Sequence, residues 1–459
     1  MTEQYRKTIE KVAGAPAVAL GQAIDASRQM GDVILQQKAL KSGKEYWDTL
    51  GPGLTTGASD DDPSGIATYS QTGAQYGFQL LWLSAFTFPL MAIVQEMCAR
   101  IGLVTGQGLA GNIRDHFPRW VLYVCTLLLF FANTLNIGAD LGAMAKAVQL
   151  VMPSLNFGAL VLGFTVVSLG LQIFTPYEKY ARYLKWLALI LLSYVFSALM
   201  VNLDWKQLAL HTIIPSLTFS KDQIILVCAI LGTTISPYLF FWQTSQEIEE
   251  EILKGRTTLA SRQGSTNSEI KNMRLDVWFG MFISNLVMFF IIAACAATLN
   301  AHGITNITTA ADAALALRPI AGENAYLLFT LGIIGTGLLA VPVLAGAVSY
   351  ALSESFSWQF GLHRELKEAN AFYGVIMISM LIGLGINFIG LDPIKALLYA
   401  AVANGIIAPV ILFLIVLISS NKKIMGERAN HPLIAAFGWF ITAVMSAASI
   451  GTIAFSFLP

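Results

Sequence analysis

Long apolar runs separated by short polar segments organise most of the chain. A helix crosses a hydrocarbon core about 30 Å thick with roughly 20 residues, and ten of the runs are long enough. They are residues 79–101, 119–143, 157–175, 183–203, 222–247, 275–299, 324–352, 371–390, 393–418 and 433–457. The pattern predicts an all-α, multi-pass membrane protein.

Residues 51–76 form a doubtful eleventh span because their centre, GASDDDPSGIATYS at 57–70, is polar. Asp-Pro-Ser-Gly is ordinary turn chemistry, so an exposed turn is the simplest local interpretation. Charge favours a crossing instead. With eleven spans, 23 of the 28 Lys and Arg residues fall on the side of the N-terminus and 5 on the other; without this crossing the split is 16 against 12. The positive-inside rule therefore predicts eleven spans, a cytoplasmic N-terminus and an external C-terminus, in the plasma (inner) membrane.

Composition agrees with a membrane protein and excludes other classes. Hydrophobic residues make up 55% of the 459 positions and charged residues 12%, against roughly 25% charged in soluble domains. With this composition, a lipid bilayer is expected as a partner. Basic and acidic residues are balanced at 28 each, so a nucleic-acid partner is not expected. The oligomeric state is left open, and a monomer is compatible with the sequence. The four cysteines lie in apolar runs without metal-ligand spacing and are expected to be free thiols.

Residues 1–50 mix polar and apolar positions without the apolar core and cleavage site of a signal peptide. We expect a cytoplasmic N-terminal region there, in which a soluble helix is favoured over an amphipathic one. An eleven-helix membrane domain is expected to occupy residues 51–459.

Three consecutive aspartates, Asp60, Asp61 and Asp62, stand at membrane depth if residues 51–76 cross. Ionised carboxylates in a membrane face a protein interior or water, and they usually mark an ion path. Pro63 and Gly65 interrupt the helix there, which frees carbonyl oxygens and points the negative end of the first half-helix at the same place. This combination predicts a cation site.

A second interrupted helix is expected in another half of the molecule, as in transporters built from inverted repeats. Pro237 provides it, five spans later, inside AILGTTISPYLFFWQTSQEIEEE at 229–251. Faint similarity between QTGAQ at 71–75 and QTSQE at 243–247 supports a repeat. We expect one repeat at about 51–203, a second at about 222–418 and an extra helix at 433–457.

These segments resemble the Nramp (natural resistance-associated macrophage protein) family of divalent-metal transporters, which are secondary transporters of the leucine-transporter-like (LeuT-like) fold. The resemblance implies a transporter and not an enzyme, with the metal ion as substrate and no cofactor. It rests on GPGLTTGASDDDPSGIATYSQTGAQYGFQLLWL (51–83), CARIGLVTGQGLA (98–110), GADLGAMAKAV (138–148), AILGTTISPYLFF (229–241) and NKKIMGE (421–427).

The chain departs from the family pattern at the expected metal ligands. The family aspartate matches Asp62, but the position of its asparagine ligand is Gly65, and its Met-Pro-His is Ser236-Pro237-Tyr238. A thioether suits transition metals, whereas oxygen ligands suit Mg²⁺ and Ca²⁺. Loss of the Asn side chain also makes room for a partly hydrated ion. The resemblance and the neighbouring acids together imply a metal site formed by Asp62, Asp61, Gly65, Thr233, Ser236 and Tyr238, with Asp60, Gln71, Asp140, Gln243 and Asn404 in a second shell or along the pathway.

The expected proton relay is also incomplete. Asp140 matches the family aspartate of the third helix, but Ala143 stands where a glutamate usually follows, and the ninth span has no arginine. We therefore expect transport that is weakly or not proton-coupled and driven by the membrane potential, similar to the Nramp-related magnesium transporters. The favoured function is secondary transport of Mg²⁺, Mn²⁺ or both. A proton-coupled Mn²⁺/Fe²⁺ symporter is the first alternative.

Other functional classes fit less well. A broken-helix symporter for an organic substrate such as an amino acid would present half-helix N-termini to a carboxylate, which a triple aspartate would repel. A membrane-embedded enzyme is disfavoured because the five histidines lie in loops or span ends without metal-site spacing. A channel is disfavoured by the absence of a filter-like repeat.

Overall fold

The computed structural model describes residues 51–175, 203–307, 310–315 and 325–457, together with the single residues 179, 195, 199 and 322. The expected N-terminal region and nearly all of the expected span at 183–203 lie outside the described residues. All regular structure in the described part is helical. The α-helices are α1 Pro52–Asp60, α2 Pro63–Tyr76, α3 Trp82–Thr105, α4 Leu109–His116, α5 Arg119–Val151, α6 Phe157–Phe174, α7 Trp205–Ile213, α8 Lys221–Thr234, α9 Pro237–Leu253, α10 Leu259–Arg262, α11 Asn267–Thr298, α12 Ala310–Leu315, α13 Ala325–Phe356, α14 Asn370–Ile386, α15 Pro393–Ser420, α16 Lys422–Met425 and α17 Pro432–Phe457.

The long helices agree with the apolar runs. Within the described residues, eight helical stretches are long and apolar enough to cross a membrane, with α8 and α9 counted as one stretch. The shorter α14, of 17 residues, is also apolar. Helix boundaries were predicted less well: α5 continues to Val151 and α11 begins at Asn267. At α5 the extension MAKAVQLV (144–151) continues the helix with good helix formers. At α11 the extension is polar, and the Thr266 and Glu269 side chains form a capping box that starts the helix.

Both predicted helix breaks are present and have similar backbone geometry. Asp61 (φ −84°, ψ 50°) and Asp62 (φ −68°, ψ 172°) separate α1 from α2. Ile235 (φ −116°, ψ 60°) and Ser236 (φ −82°, ψ 137°) separate α8 from α9. In each case the residue before proline is extended, as the proline ring requires, and the proline starts the second half-helix.

Each interrupted helix packs against a helix of the other repeat. The half-helix α1 lies against α11, and α9 lies against α3. In both pairs glycine lets the backbones approach closely. A Cβ on Gly57 would lie 2.3 Å from the Gly280 carbonyl oxygen, and one on Gly102 would lie 2.5 Å from the Thr244 carbonyl oxygen. No other residue fits at these contacts without displacing a backbone.

The outer surface of the bundle is apolar. Phe131, Phe174, Ile389 and Phe437 are among many large hydrophobic residues that are at least half exposed. A soluble protein rarely exposes such a continuous apolar surface, whereas a membrane protein faces lipid with it. The helices α6 and α17 are the most exposed of the long helices and lie at the periphery.

Candidate functional site

The Asp62 carboxylate is held rigidly at the first helix break. Its Oδ1 accepts a hydrogen bond from the Gly65 backbone N–H at 2.6 Å and from the Ser64 hydroxyl at 2.7 Å. The other oxygen, Oδ2, accepts a hydrogen bond from Asn136 Nδ2 at 2.8 Å. Asp62 is thus both the N-cap of α2 and a carboxylate in the middle of the bundle, 1% exposed.

Because Gly65 has no side chain, three oxygen atoms lie close to its Cα. A Cβ on this residue would lie 3.0 Å from Thr233 Oγ1, 3.1 Å from the Asp60 carbonyl oxygen and 3.4 Å from Asp62 Oδ1. These oxygens come from α8 and from both sides of the first break, so the two interrupted helices meet here. Carboxylate, carbonyl and hydroxyl oxygens are the ligands that Mg²⁺ and Ca²⁺ take in proteins.

Ser236 and Tyr238 lie at the second break but bond elsewhere. The Ser236 hydroxyl donates to the carbonyl oxygens of Gly232, at 2.5 Å, and Thr233, at 2.9 Å, in its own chain segment. The Tyr238 hydroxyl donates to the Ser59 carbonyl oxygen at 2.8 Å and so joins α9 to the end of α1. The carbonyl oxygen of Thr233, a predicted site residue, already accepts this Ser236 hydrogen bond with one of its lone pairs.

Helix α5 brings an amide and a carboxylate to the same region. Asn136, which donates to Asp62, was not predicted from the sequence. Asp140 follows it by four residues and therefore shares its helix face, and Asp140 interacts electrostatically with Asp62. Asn136 Oδ1 and both carboxylate oxygens of Asp140 are buried and have no hydrogen-bond partner among the described residues. The sequence does carry a signal for Asn136. It is an amide side chain in an apolar run, one helical turn before the aspartate Asp140.

Asp60 bonds to a different helix from Asp62. Asp60 Oδ2 accepts a hydrogen bond from the Ser284 hydroxyl of α11 at 2.7 Å. Both carboxylate oxygens of Asp61 are buried and have no hydrogen-bond partner among the described residues. The adjacent acids Asp62 and Asp60 therefore bond to α5 and α11, respectively.

The remaining predicted pathway residues lie further away or make their own contacts. Gln71 lies two turns along α2, where it contacts Thr305, Ile307 and Gln75. Gln243 donates to Glu247 Oε1 at 2.9 Å within α9. Asn404 is buried on α15, next to Gly405, which packs against Cys228 of α8.

A model of the family described as Nramp, natural resistance-associated macrophage protein-like, matches residues 53–454. The chain belongs to the Nramp family. It is an integral, multi-pass membrane protein that transports divalent metal ions and is not an enzyme, as the sequence resemblance implied. The predicted membership is confirmed.

Solved structures confirm the predicted fold class. A manganese transporter from Eremococcus coleocola, in complex with an aromatic bis-isothiourea substituted compound, superimposes with a TM-score of 0.69 at 16% identity, over 90% of this chain and 87% of that one. Structures of two mutants of that transporter give TM-scores of 0.68 and 0.67 at 16% and 15% identity, over 88% of this chain and 85% of theirs. At this identity the likeness concerns the fold: a LeuT-like arrangement with interrupted first and sixth helices.

On the side of the C-terminal end of α2, apolar side chains lie between the site of this Nramp protein and a polar cavity. A cavity of about 470 Å³ opens there and is lined by polar residues that include Gln71, Asp222 and Lys395. A void of about 10 Å³ adjoins this cavity at Ile307 and reaches Pro63, and it is lined by apolar residues such as Ile66 and Phe329. These side chains separate the polar cavity from the aspartates.

The site is also closed from the end of the bundle at which α1 begins. The Asp276 carboxylate of α11 accepts hydrogen bonds from the backbone N–H groups of Gly53, at 2.7 Å, Gly51, at 2.8 Å, and Leu54, at 3.1 Å. A carboxylate at a helix N-terminus satisfies N–H groups that have no partner within the helix and stabilises the helix dipole. Asp276, Gly280 and Ser284, spaced by four residues, therefore hold α1 along its length. In this arrangement Asp60, Asp61 and Asp62 are at most 1% exposed.

Proposed function

We propose that this Nramp protein carries Mg²⁺, Mn²⁺ or both across the membrane by alternating access, without obligatory proton coupling. The main support is the convergence of oxygen atoms from Asp62, Thr233 and the Asp60 carbonyl at Gly65. Asp62 is the proposed charged ligand, Gly65 allows the close approach of these oxygens and Thr233 provides a hydroxyl. Ser236 and Tyr238 are proposed to contact the ion through water or after a rearrangement of their present hydrogen bonds.

The donor set favours a partly hydrated hard ion. Mg²⁺ sheds water reluctantly, and proteins usually bind it through one or two carboxylates while several waters remain. Among the described residues, no group of three or more His, Cys, Asp or Glu side chains is arranged to hold a metal ion, so a fully dehydrated ion would lack ligands. Ser236 stands at the position of the family methionine, so this position supplies no sulfur ligand. The site therefore has no feature that discriminates against Mg²⁺ in favour of transition metals.

The closures on either side suggest how the site alternates. Release of α1 from Asp276 and Gly280 would open a path from the end of the bundle at which α1 begins. Separation of Ile66, Ile307 and Phe329 would join the site to the polar cavity at the other end. Because α1 and α2 are joined by two non-helical residues, we propose that the half-helices move separately, with Asp61 and Asp62 as the hinge.

Weak coupling is proposed because residues of a proton relay are missing. Ala143 and Tyr238 replace acid and histidine positions of the family, and the described ninth-span helix α14 contains no arginine. The membrane potential alone favours inward movement of a divalent ion by about 2.3 kcal/mol per charge per 100 mV. The alternative of proton-coupled Mn²⁺/Fe²⁺ transport is kept because Asp140 is a buried carboxyl group that, with no hydrogen-bond partner among the described residues, could carry a proton.

We further propose the plasma (inner) membrane as the location, with a cytoplasmic N-terminal region at 1–50 and the transporter domain at 51–459. The asymmetry of Lys and Arg residues supports this orientation. The end of the bundle at which α1 begins would then face the cytoplasm, and the polar cavity at Gln71 would face outward.

Uptake into proteoliposomes tests this proposal. Vesicles carrying an internal divalent-sensitive dye and an internal pH dye are assayed with Mg²⁺, Mn²⁺ and Ca²⁺ under imposed voltage and imposed pH gradients. We expect uptake that follows voltage, changes little with the pH gradient and is abolished in Asp62→Asn. Asp115→Asn, at a partly exposed acid paired with Arg114, serves as the matched control.

Two results would contradict different parts of the proposal. Uptake that survives in Asp62→Asn would remove Asp62 from the site. Acidification of the vesicles that accompanies metal uptake in the unmodified protein and disappears in Asp62→Asn would establish proton coupling and leave the site in place.

A further inference from the structure

The Glu249 carboxylate, near the C-terminal end of α9, accepts hydrogen bonds on both of its oxygens. Oε1 accepts one from the Tyr350 hydroxyl of α13, at 2.6 Å, and one from the Leu362 backbone N–H, at 2.9 Å. Oε2 accepts one from Nδ1 of His363 at 2.8 Å. Glu249 is 1% exposed. Its carboxylate is therefore a buried connection between α9, α13 and the segment 357–369, which joins α13 to α14.

The segment 357–369 is shaped to bring His363 against this carboxylate. Gly361 has a φ of +122°, a conformation that residues with a side chain rarely adopt. A Cβ on Gly361 would lie 2.5 Å from His363 Nδ1 and 2.8 Å from Glu249 Oε1. The turn therefore requires glycine, and the glycine allows the backbone, the imidazole and the carboxylate to approach closely.

This connection lies at the end of the bundle where α1 is held closed. Two residues before Glu249, Glu247 interacts electrostatically with Asp276, the residue that holds the N-terminus of α1. At its other end, α9 is joined to α8 through the non-helical residues Ile235 and Ser236. The bonds at Glu249 therefore resist a rotation of α9 about the second break.

Several charged or titratable side chains surround Glu249. Arg262 of α10 and Tyr373 of α14 interact with it electrostatically. Glu354, one helical turn beyond Tyr350 on α13, instead accepts a backbone hydrogen bond from α4 at 2.9 Å. Other charged side chains near this end of α9 are Glu251 of α9, Glu96 and Arg100 of α3, Arg114 of α4, and Arg364 and Glu368 of the segment 357–369. Arginine and tyrosine keep their charge between about pH 5 and 8, whereas histidine changes it.

We propose that Glu249 and His363 form a pH-sensitive latch, which holds α9 in its present position more strongly when His363 is protonated. A carboxylate only accepts hydrogen bonds, so Nδ1 of His363 carries a proton in the present contact. Protonation of the other ring nitrogen turns this hydrogen bond into an ion pair. The His363 side chain is 23% exposed and can exchange protons with water. The latch is therefore strongest at low pH and weakens as the pH rises.

The latch regulates the transporter and does not bind the ion. This inference rests on the proposed function, since it takes movement of α9 as a step of alternating access. In the proposed orientation His363 faces the cytoplasm. Acidification of the cytoplasm would then strengthen the latch and slow transport.

Uptake of radioactive Mn²⁺ at saturating concentration, with equal pH on both sides of the proteoliposome membrane, tests the latch. Equal pH removes any proton driving force, and saturating metal separates the maximal rate from competition between protons and metal, which raises KM. We expect the maximal rate of the unmodified protein to be about two- to fivefold lower at about pH 5.5 than at about pH 8. In His363→Asn an amide takes the place of Nδ1 but cannot become charged, so the two rates should be similar.

Three more variants separate the latch from other titrating groups. Glu249→Gln removes the charge that protonated His363 pairs with, so its rate should also be similar at both pH values. His116→Asn, at a histidine bonded to a backbone carbonyl of its own helix, and Glu354→Gln should keep the pH dependence of the unmodified protein. A pH dependence that survives in His363→Asn, or that is missing from the unmodified protein, would overturn the latch. Uptake that survives in Asp62→Asn would contradict the proposed function instead.

Hydrogen exchange tests the latch without transport. The Leu362 N–H bonds to Glu249 and also lies 3.1 Å from the Tyr350 hydroxyl oxygen, so its exchange reports opening of the latch. With the full-length protein in nanodiscs at about pH 5.5, the peptide 357–369 should exchange about two- to fivefold faster in His363→Asn than in the unmodified protein. At about pH 8 this difference should disappear. Equal exchange of the two proteins at both pH values would overturn the latch even if neither protein transports Mn²⁺.

Discussion

Gly280→Ala should release α1 from α11. A Cβ at this position would lie 2.2 Å from the Gly53 carbonyl oxygen, where ordinary van der Waals contact needs about 3.4 Å. The obstructing atom belongs to a backbone, so it cannot rotate away. The two helices must therefore separate by about 1 Å, which is the difference between these distances.

That displacement breaks further contacts. The hydrogen bonds from Gly53 N–H to Asp276 and from Ser284 to Asp60 are both 2.7 Å long, so a shift of about 1 Å takes them beyond hydrogen-bond range. Overpacking costs about 1–3 kcal/mol, and hydrogen bonds to charged groups contribute about 1.5–3 kcal/mol each. After partial relaxation, we expect about 2–4 kcal/mol against the closed position of α1, or roughly 30- to 1,000-fold in the gating equilibrium.

The assay measures access to the inner side of α1. Thr56→Cys places a thiol on α1 at a residue that is 0% exposed, in a background whose four native cysteines are replaced by alanine. A charged, membrane-impermeant thiol reagent should label this cysteine at least about 30-fold faster after Gly280→Ala. Gly163→Ala is the matched control, because no atom lies within 4 Å of its added Cβ.

If the Gly280→Ala and Gly163→Ala proteins are labelled at the same rate, the tight contact between Gly280 and Gly53 does not hold α1 closed, and the reasoning is refuted. If Gly280→Ala does not give folded protein, Asp276→Asn tests the same gate without added volume. That variant should also accelerate labelling, because it removes the negative charge from the N-terminus of α1.

Two further substitutions test the ion site. Ser236→Met should raise affinity for Mn²⁺ or Cd²⁺ relative to Mg²⁺ in competition titrations, because a thioether is a soft ligand, and an unchanged preference would place Ser236 outside the ligand sphere. Asn136→Leu removes the hydrogen bond to Asp62 Oδ2 and should weaken metal binding by about 1–3 kcal/mol, measured as a higher KM for uptake. Thr126→Val, at a hydroxyl on the same helix that bonds only its own backbone, should leave KM unchanged and serves as control.

Several properties followed from the sequence because their causes are local. Apolar run length predicts membrane helices wherever lipid is the solvent, and the described helices agree with it. Proline forces an extended residue before it, so the breaks at Pro63 and Pro237 were predictable from steric effects within a few residues. A break that carries aspartates at membrane depth has few explanations besides an ion path, which is why Asp62 stood out.

Only the tertiary structure decided where each polar group points. The bond between Asn136 and Asp62 joins residues 74 positions apart, and that between Ser284 and Asp60 joins residues 224 positions apart. No local pattern fixes the rotation of one helix against another, so Asn136, Ser284 and Asp276 were missed. The same rotations direct Asp62 to α5 and Asp60 to α11. Local sequence places these carboxylates at a helix break, whereas helix packing determines which groups each of them can bind.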